Sequence, residues 1–201
     1  MAYKITKIII MNKQKTARVI SEMFNGFATT MLSPILAILF SSIHLKLKIT
    51  YTFIHIILPI LVYQILKKLG KVSDYELTKR EERPIYYVTM TLLYAAFFFV
   101  LRSYNIETVT LVSLALLAVS TVITIVTFAW KISGHMAYST LLFCTLAYLF
   151  SPYFFLMFLF TPLIAWSRVE LKKHTWAQTV VGTLLTFAIC ATIYWGLPLF
   201  R

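Results

Sequence analysis

The sequence predicts an all-α, multi-pass transmembrane helix bundle of six to seven membrane helices, on three observations. Of 201 residues, 60% are hydrophobic and 13% charged, whereas soluble domains carry about a quarter charged residues. The mean hydropathy is +0.81. The apolar residues also fall in stretches of about 20, the length a helix needs to cross the hydrocarbon core of a bilayer. Two cysteines and no Cys/His cluster exclude a disulfide scaffold and argue against a zinc fold. The net charge of +12 would suggest nucleic acid in a soluble chain. Here the cations lie between apolar stretches, so anionic lipid or a phosphate-bearing substrate is the expected partner, with no nucleic acid.

Residues 1–20 form a basic segment with Lys4, Lys7, Lys13, Lys15 and Arg18 around Ile8-Ile9-Ile10-Met11. That run is too short for a secretory signal, and the choice is between an interfacial basic helix and a disordered tail. An integral membrane domain is expected over 21–201. Its spans run over Ser21–Ile43, Ile49–Leu66, Pro84–Leu101, Val109–Trp130 and Ala177–Phe200. Between the last two, Met136–Trp166 carries no charge and is interrupted at Ser151-Pro152. Proline breaks a helix interior and disfavours helix in the residue before it. Two short helices of about 15 residues, each roughly 22 Å long, are expected there.

The polar residues outside the tails gather in three islands: Lys71 to Pro84, Lys131 to His135, and Ser167 to Gln178. Interface anchoring would account for charges at membrane edges, but each island brings Arg or Lys, two bring His, and one brings Ser-Gly. An even number of crossings separates successive islands, so all three can meet on one face. Arg83 and Arg168 are permanent planar donors suited to phosphate oxygens. Gly134 permits close backbone approach, and Ser133 with helix-start N–H groups adds donors. His135 and His174 are what a covalent phosphoryl transfer needs: one imidazole attacks phosphorus and the other protonates the departing oxygen. Arg and Lys can neutralise the transition-state charge, so neither metal nor cofactor is expected. The acids of the first island are expected to pair with Lys79, Arg80 and Arg83.

At these residues the chain resembles the type-2 phosphatidic-acid phosphatase superfamily, which includes lipid phosphate phosphatases and vanadium haloperoxidases. The family's signatures are K-x6-R-P, P-S-G-H and S-R-x5-H-x3-D. They correspond here to Arg83-Pro84, Ser133-Gly134-His135 and Ser167-Arg168-x5-His174, over roughly Asp74 to Gln178. The resemblance implies that Arg83 and Arg168 bind phosphate, supported by Ser133 and the Gly134 backbone. It makes His135 the general acid and His174 the nucleophile. Three positions depart from the pattern. Lys131-Ile132 replaces the proline. Glu76 stands seven residues before Arg83, where the family has lysine; Lys79, or else Arg80, would fill that role if the segment is helical. Gln178 stands where the family has Asp, and its carbonyl can orient His174 but not stabilise an imidazolium by charge. Asp74 and Glu170 are candidates to compensate.

The expected activity is metal-independent hydrolysis of a lipid phosphate monoester or diphosphate: phosphatidate, phosphatidylglycerophosphate or a polyprenyl phosphate. A lipid phosphotransferase and a catalytically inactive binding or transport protein are the alternatives. His55 reads as a satisfied buried histidine, His44 as a loop anchor, Lys172 and Lys173 as headgroup contacts, and Cys144 and Cys190 as apolar packers. The aromatics read as belt, packing and partly acyl-groove residues. Fifteen Lys and Arg fall on the site side against 4 on the other, which by the positive-inside rule puts the site facing the cytoplasm; the plasma membrane is the expected location. The sequence sets no oligomeric state.

Overall fold

The computed structural model describes the backbone of residues 2–196 and the side chains of 11–196. The side chains of Lys4 and Lys7, and the predicted end of the last span at Phe200, lie outside the described residues. Among the described residues eight α-helices form: α1 (Ala2–Met23), α2 (Gly26–Leu39), α3 (Leu45–Lys68), α4 (Arg83–Arg102), α5 (Glu107–Ala129), α6 (Gly134–Leu149), α7 (Thr161–Glu170) and α8 (Trp176–Ala191). A 3-10 segment, Pro152–Phe160, leads into α7, and a π turn, Thr192–Gly196, follows α8. No strand occurs among the described residues.

Large apolar side chains on the outside identify the solvent. Ile49, Phe53, Ile56, Ile60 and Leu92, Phe99, Leu159, Leu184 are all exposed, a surface that water would not tolerate at this extent. The hydropathy windows of α3 and α4 are only 22% buried in protein, whereas that of α5 is 61% buried. The chain is therefore an integral membrane protein, with α3 and α4 turned to lipid and α5 in the interior. α5 packs against α2, α4, α6 and α8, and α6 against α2, α7 and α8. Hydroxyl pairs cross this interior where no water competes: Thr91 with Thr124 at 2.9 Å and Thr145 with Tyr194 at 2.8 Å.

The first predicted span is two elements. Ser21 lies in the last turn of α1, which ends at Met23, and the chain breaks at Asn25, whose side chain accepts from Phe27 N–H at 2.8 Å and caps α2. An Asn side chain satisfies a free helix-start donor, so the pair Asn25-Gly26 stops one helix and starts the next. Helix α1 is largely exposed; only Ala17 and Ser21 of its described side chains are buried. The break expected at Ser151-Pro152 is present. Ser151 accepts from Tyr153 N–H, and Pro152 opens the next segment. The second member of the short pair is longer than expected, running with its 3-10 start from Pro152 to Glu170.

Candidate active site

All three polar islands reach one end of the bundle, where one cleft is lined by Arg83, Gly134, His135, Arg168 and His174 together with Glu76. It holds about 690 Å³ of empty space, its open mouth included.

Local rules position each group. Helix α7 ends in a Schellman turn: Lys172 takes a left-handed φ of 54°, Lys172 N–H reaches the Val169 carbonyl at 2.9 Å and Lys173 N–H that of Arg168 at 3.0 Å. The reversal brings His174 back beside Arg168, whose carbonyl accepts from His174 N–H at 3.3 Å. Thr175 then caps α8 in a reciprocal box with Gln178, Gln178 N–H to Thr175 Oγ1 at 3.3 Å and Thr175 N–H to Gln178 Oε1 at 3.1 Å. The same Oε1 lies 3.1 Å from His174 Nδ1. Because that oxygen already accepts from a backbone N–H, it accepts from His174 too, so Nδ1 carries the proton and Nε2 keeps its lone pair. Burial, then the charges of Arg83 and Arg168, push the His174 pKa down to about 3. The ring is neutral at physiological pH.

His135 opens α6. Its Nε2 lies 3.3 Å from Arg168 Nη1, and since a guanidinium only donates, Nε2 accepts in this state. Gly134 serves a close approach: a Cβ there would stand 3.0 Å from the Tyr87 hydroxyl. Ser133 is fully buried behind it, outside the cleft, with no partner for its Oγ among the described residues. Arg83 is also buried. Its Nε donates to the Leu77 carbonyl at 2.8 Å and its Nη1 to that of Ile132 at 2.9 Å, binding the first island to the second. Leu77 adopts φ 51°, a strained conformation for leucine, where its carbonyl meets Arg83.

Lys79 and Arg80 lie outside the cleft. The segment before them is not helical, the condition on which either would take the lysine role. Lys79 pairs with Glu82 at 3.3 Å and its side chain is 65% exposed, while Arg80 donates to the Ala129 carbonyl. The Lys79–Glu82 pair matches the sequence expectation for the first-island acids, whereas Asp74 and Glu76 pair elsewhere. Asp74 accepts from Thr78, and Glu170 binds Lys13, so neither supports His174. Glu76 reaches Arg168 (Nη1–Oε1 3.4 Å, Nη2–Oε2 3.5 Å) and Lys173 Nζ at 2.9 Å.

Lys173, read from the sequence as a headgroup contact, lies beside the cleft on Glu76, and it also donates to Thr78 Oγ1 at 2.8 Å. Ser21, from the end of α1, accepts from Arg168 Nη1. Lys131 is half-buried and makes no ion pair among the described residues; burial, then Arg83 and Lys173, lower its pKa. His55 is buried, bonded to the Tyr51 carbonyl and stacked on Phe97, and His44 caps α3. No group of three His, Cys, Asp or Glu side chains is placed to hold a metal among the described residues.

The rest of the cleft is mainly aromatic and apolar, with Phe27, Met31, Tyr86, Met90 and Tyr94, but Asn25 and Thr30 also line it. Phe27, Tyr75 and Tyr86 also border a second cleft that continues past Ala28 to Ile60 and Tyr63 on the lipid side of α3. Compared with protein-family models, curated proteins and solved structures, the chain finds no match.

Proposed function

We propose that this chain is a membrane phosphatase of the type-2 phosphatidic-acid phosphatase kind, hydrolysing a lipid phosphate monoester or diphosphate. The carrying observation is one cleft that holds two imidazoles and two guanidiniums and whose remaining walls are mainly aromatic and apolar. Such a cleft fits a molecule with a phosphate at one end and hydrocarbon at the other, and the adjoining cleft beside α3 supports entry from the bilayer.

The chemistry follows from the geometry. His174 Nε2, its lone pair fixed by the Gln178 contact at Nδ1, attacks phosphorus. The P–O bond to the lipid breaks, and His135 delivers a proton to that oxygen. In the substrate-free state His135 Nε2 is an acceptor, so it must take up its proton as the phosphate arrives, carried by a phosphate monoanion or drawn in by the dianion's field. Arg168 and the remaining Nη2 of Arg83 offset charge on the equatorial oxygens. His135, now without that proton, takes one from water; the hydroxide oxygen attacks phosphorus, the P–N bond breaks, and inorganic phosphate and neutral His174 are regenerated.

Positive charge concentrated at the site end supports a site that faces the cytoplasm. A Ser73→Cys variant that reacts readily with an impermeant reagent in intact cells would reverse that orientation. Glu76 lying on Arg168 favours one competing reading, a catalytically inactive lipid-phosphate binder. Phosphate release from a panel of lipid phosphates with EDTA present, wild type against His174→Ala, separates the two. The proposal expects release that is lost in His174→Ala, and release that survives the substitution refutes it.

A further inference from the structure

We propose that Glu76 is a resident anion that occupies the phosphate pocket and must be displaced before a phosphate can bind, so that occupancy depends on a hydrophobic tail that concentrates the phosphate at the membrane. The inference rests on the phosphatase reading for the identity of the pocket.

Three observations carry it. First, the two carboxylate oxygens of Glu76 face the two Nη atoms of Arg168 at 3.4 and 3.5 Å, the forked arrangement in which an arginine holds two phosphate oxygens. Second, the same carboxylate takes Lys173 at 2.9 Å, so a second cation beside the cleft helps hold it on Arg168. Third, Glu76 lies within the cleft beside His135 and His174. Its charge persists: burial alone would raise its pKa, but Arg168 and Lys173 hold it down to about 2.

A phosphate arriving at Arg168 therefore meets an ionised carboxylate at close range, and the carboxylate must swing toward water. Displacement costs every ligand the same amount. A lipid phosphate, held in the bilayer by its tail, reaches the cleft beside α3 at high effective concentration and offsets it by mass action. Inorganic phosphate, which has no tail, cannot. Glu76 thus keeps the pocket from filling with free phosphate and helps expel the product after each turnover.

The test is the binding of inorganic phosphate at pH 8 to the purified full chain in detergent, by calorimetry. Thermal melting is followed alongside as a fold check and a second readout. Glu76→Gln keeps an acceptor facing Arg168 while removing the charge. It should bind phosphate at least about tenfold more tightly than wild type, the factor to which about 1.4 kcal/mol corresponds. Phosphate should also raise its melting temperature more than that of wild type. Glu76→Asp, one methylene shorter and less able to reach Arg168, should fall between the two. Adding Arg168→Ala to Glu76→Gln should abolish the gain. Equal or weaker phosphate binding in a folded Glu76→Gln protein overturns the inference, as does a gain that survives loss of Arg168. Lipid phosphatase activity is scored separately. Tighter binding without any hydrolysis by wild type would leave the inference standing and remove the phosphatase; hydrolysis with unchanged binding would do the reverse.

Discussion

Replacing Gln178 by Glu puts a charge where the amide now orients His174, and its effect can be worked out beforehand. The Gln178 oxygen is 3.1 Å from His174 Nδ1, so a carboxylate there would sit about 4 Å from the centre of an imidazolium. At an effective dielectric of about 20 that attraction is about 4 kcal/mol, an upper figure for a half-buried site. It corresponds to about three pKa units. His174 now titrates at about 3 because burial and then Arg83 and Arg168 disfavour its cation. In Gln178→Glu it should titrate near 6.

The assay is kcat/KM against pH, which reports ionisations of the free enzyme. In the wild type, protonation of His174 should cause no acid-side loss between pH 5 and 7, and in Gln178→Glu such a loss should appear there. Fold effects separate cleanly, because Glu also completes the capping box at this position. Thr175→Ala removes the other half of the box at a cost of about 1 kcal/mol of stability, yet leaves the His174 contact in place, so its profile should match the wild type. An acid limb that stays put in Gln178→Glu would refute both the assignment of His174 as the attacking base and the role given to Gln178.

Gly182 on α8 faces the second-island loop, and a Cβ there would stand 3.0 Å from the Ser133 carbonyl, a backbone atom with little room to move. Gly182→Ala should therefore destabilise by about 1–3 kcal/mol and lower activity through the displaced Gly134-His135 segment. Gly196→Ala, with nothing closer than 3.9 Å, should melt like the wild type. Acid should weaken the fold through Glu76, whose folded pKa is depressed from 4.5 to about 2. A depressed acid contributes stability that is fully present above pH 4.5 and is lost as pH falls toward 2. Chemical denaturation of Glu76→Gln across that window should show a shallower loss than the wild type, and parallel curves would contradict the ion pair.

Much of the fold is legible because each rule involved is local. Helix stretches are set by hydropathy, and the chain breaks where Pro152 forces it to. Asn25 is harder to read, since a single cap inside an apolar stretch leaves the hydropathy unchanged; only its bond to Phe27 shows the division between α1 and α2. Thr175 and Gln178 stand at capping-box spacing, a pattern open in the sequence that is passed over if Gln178 is read only as a partner for His174. The meeting of the islands follows from counting crossings, and the cleft brings His135, His174, Arg83 and Arg168 to one place. The pairing of charges does not follow. Glu76 and Arg168 are separated by 92 residues, and nothing local distinguishes that partnership from one with the nearer Arg80 or Arg83. Lys173 is similar: its part in the site depends on the Schellman turn at Lys172, a left-handed residue that is not the glycine usually found there.

The central claim is that His174 becomes covalently phosphorylated. The direct measurement is rapid quenching of the purified protein after exposure to a lipid phosphate carrying labelled phosphorus, followed by mapping of any label retained on the chain. The account predicts an alkali-stable, acid-labile adduct on His174, absent in His174→Ala. A label on any other side chain, or steady phosphate release by His174→Ala, would contradict it.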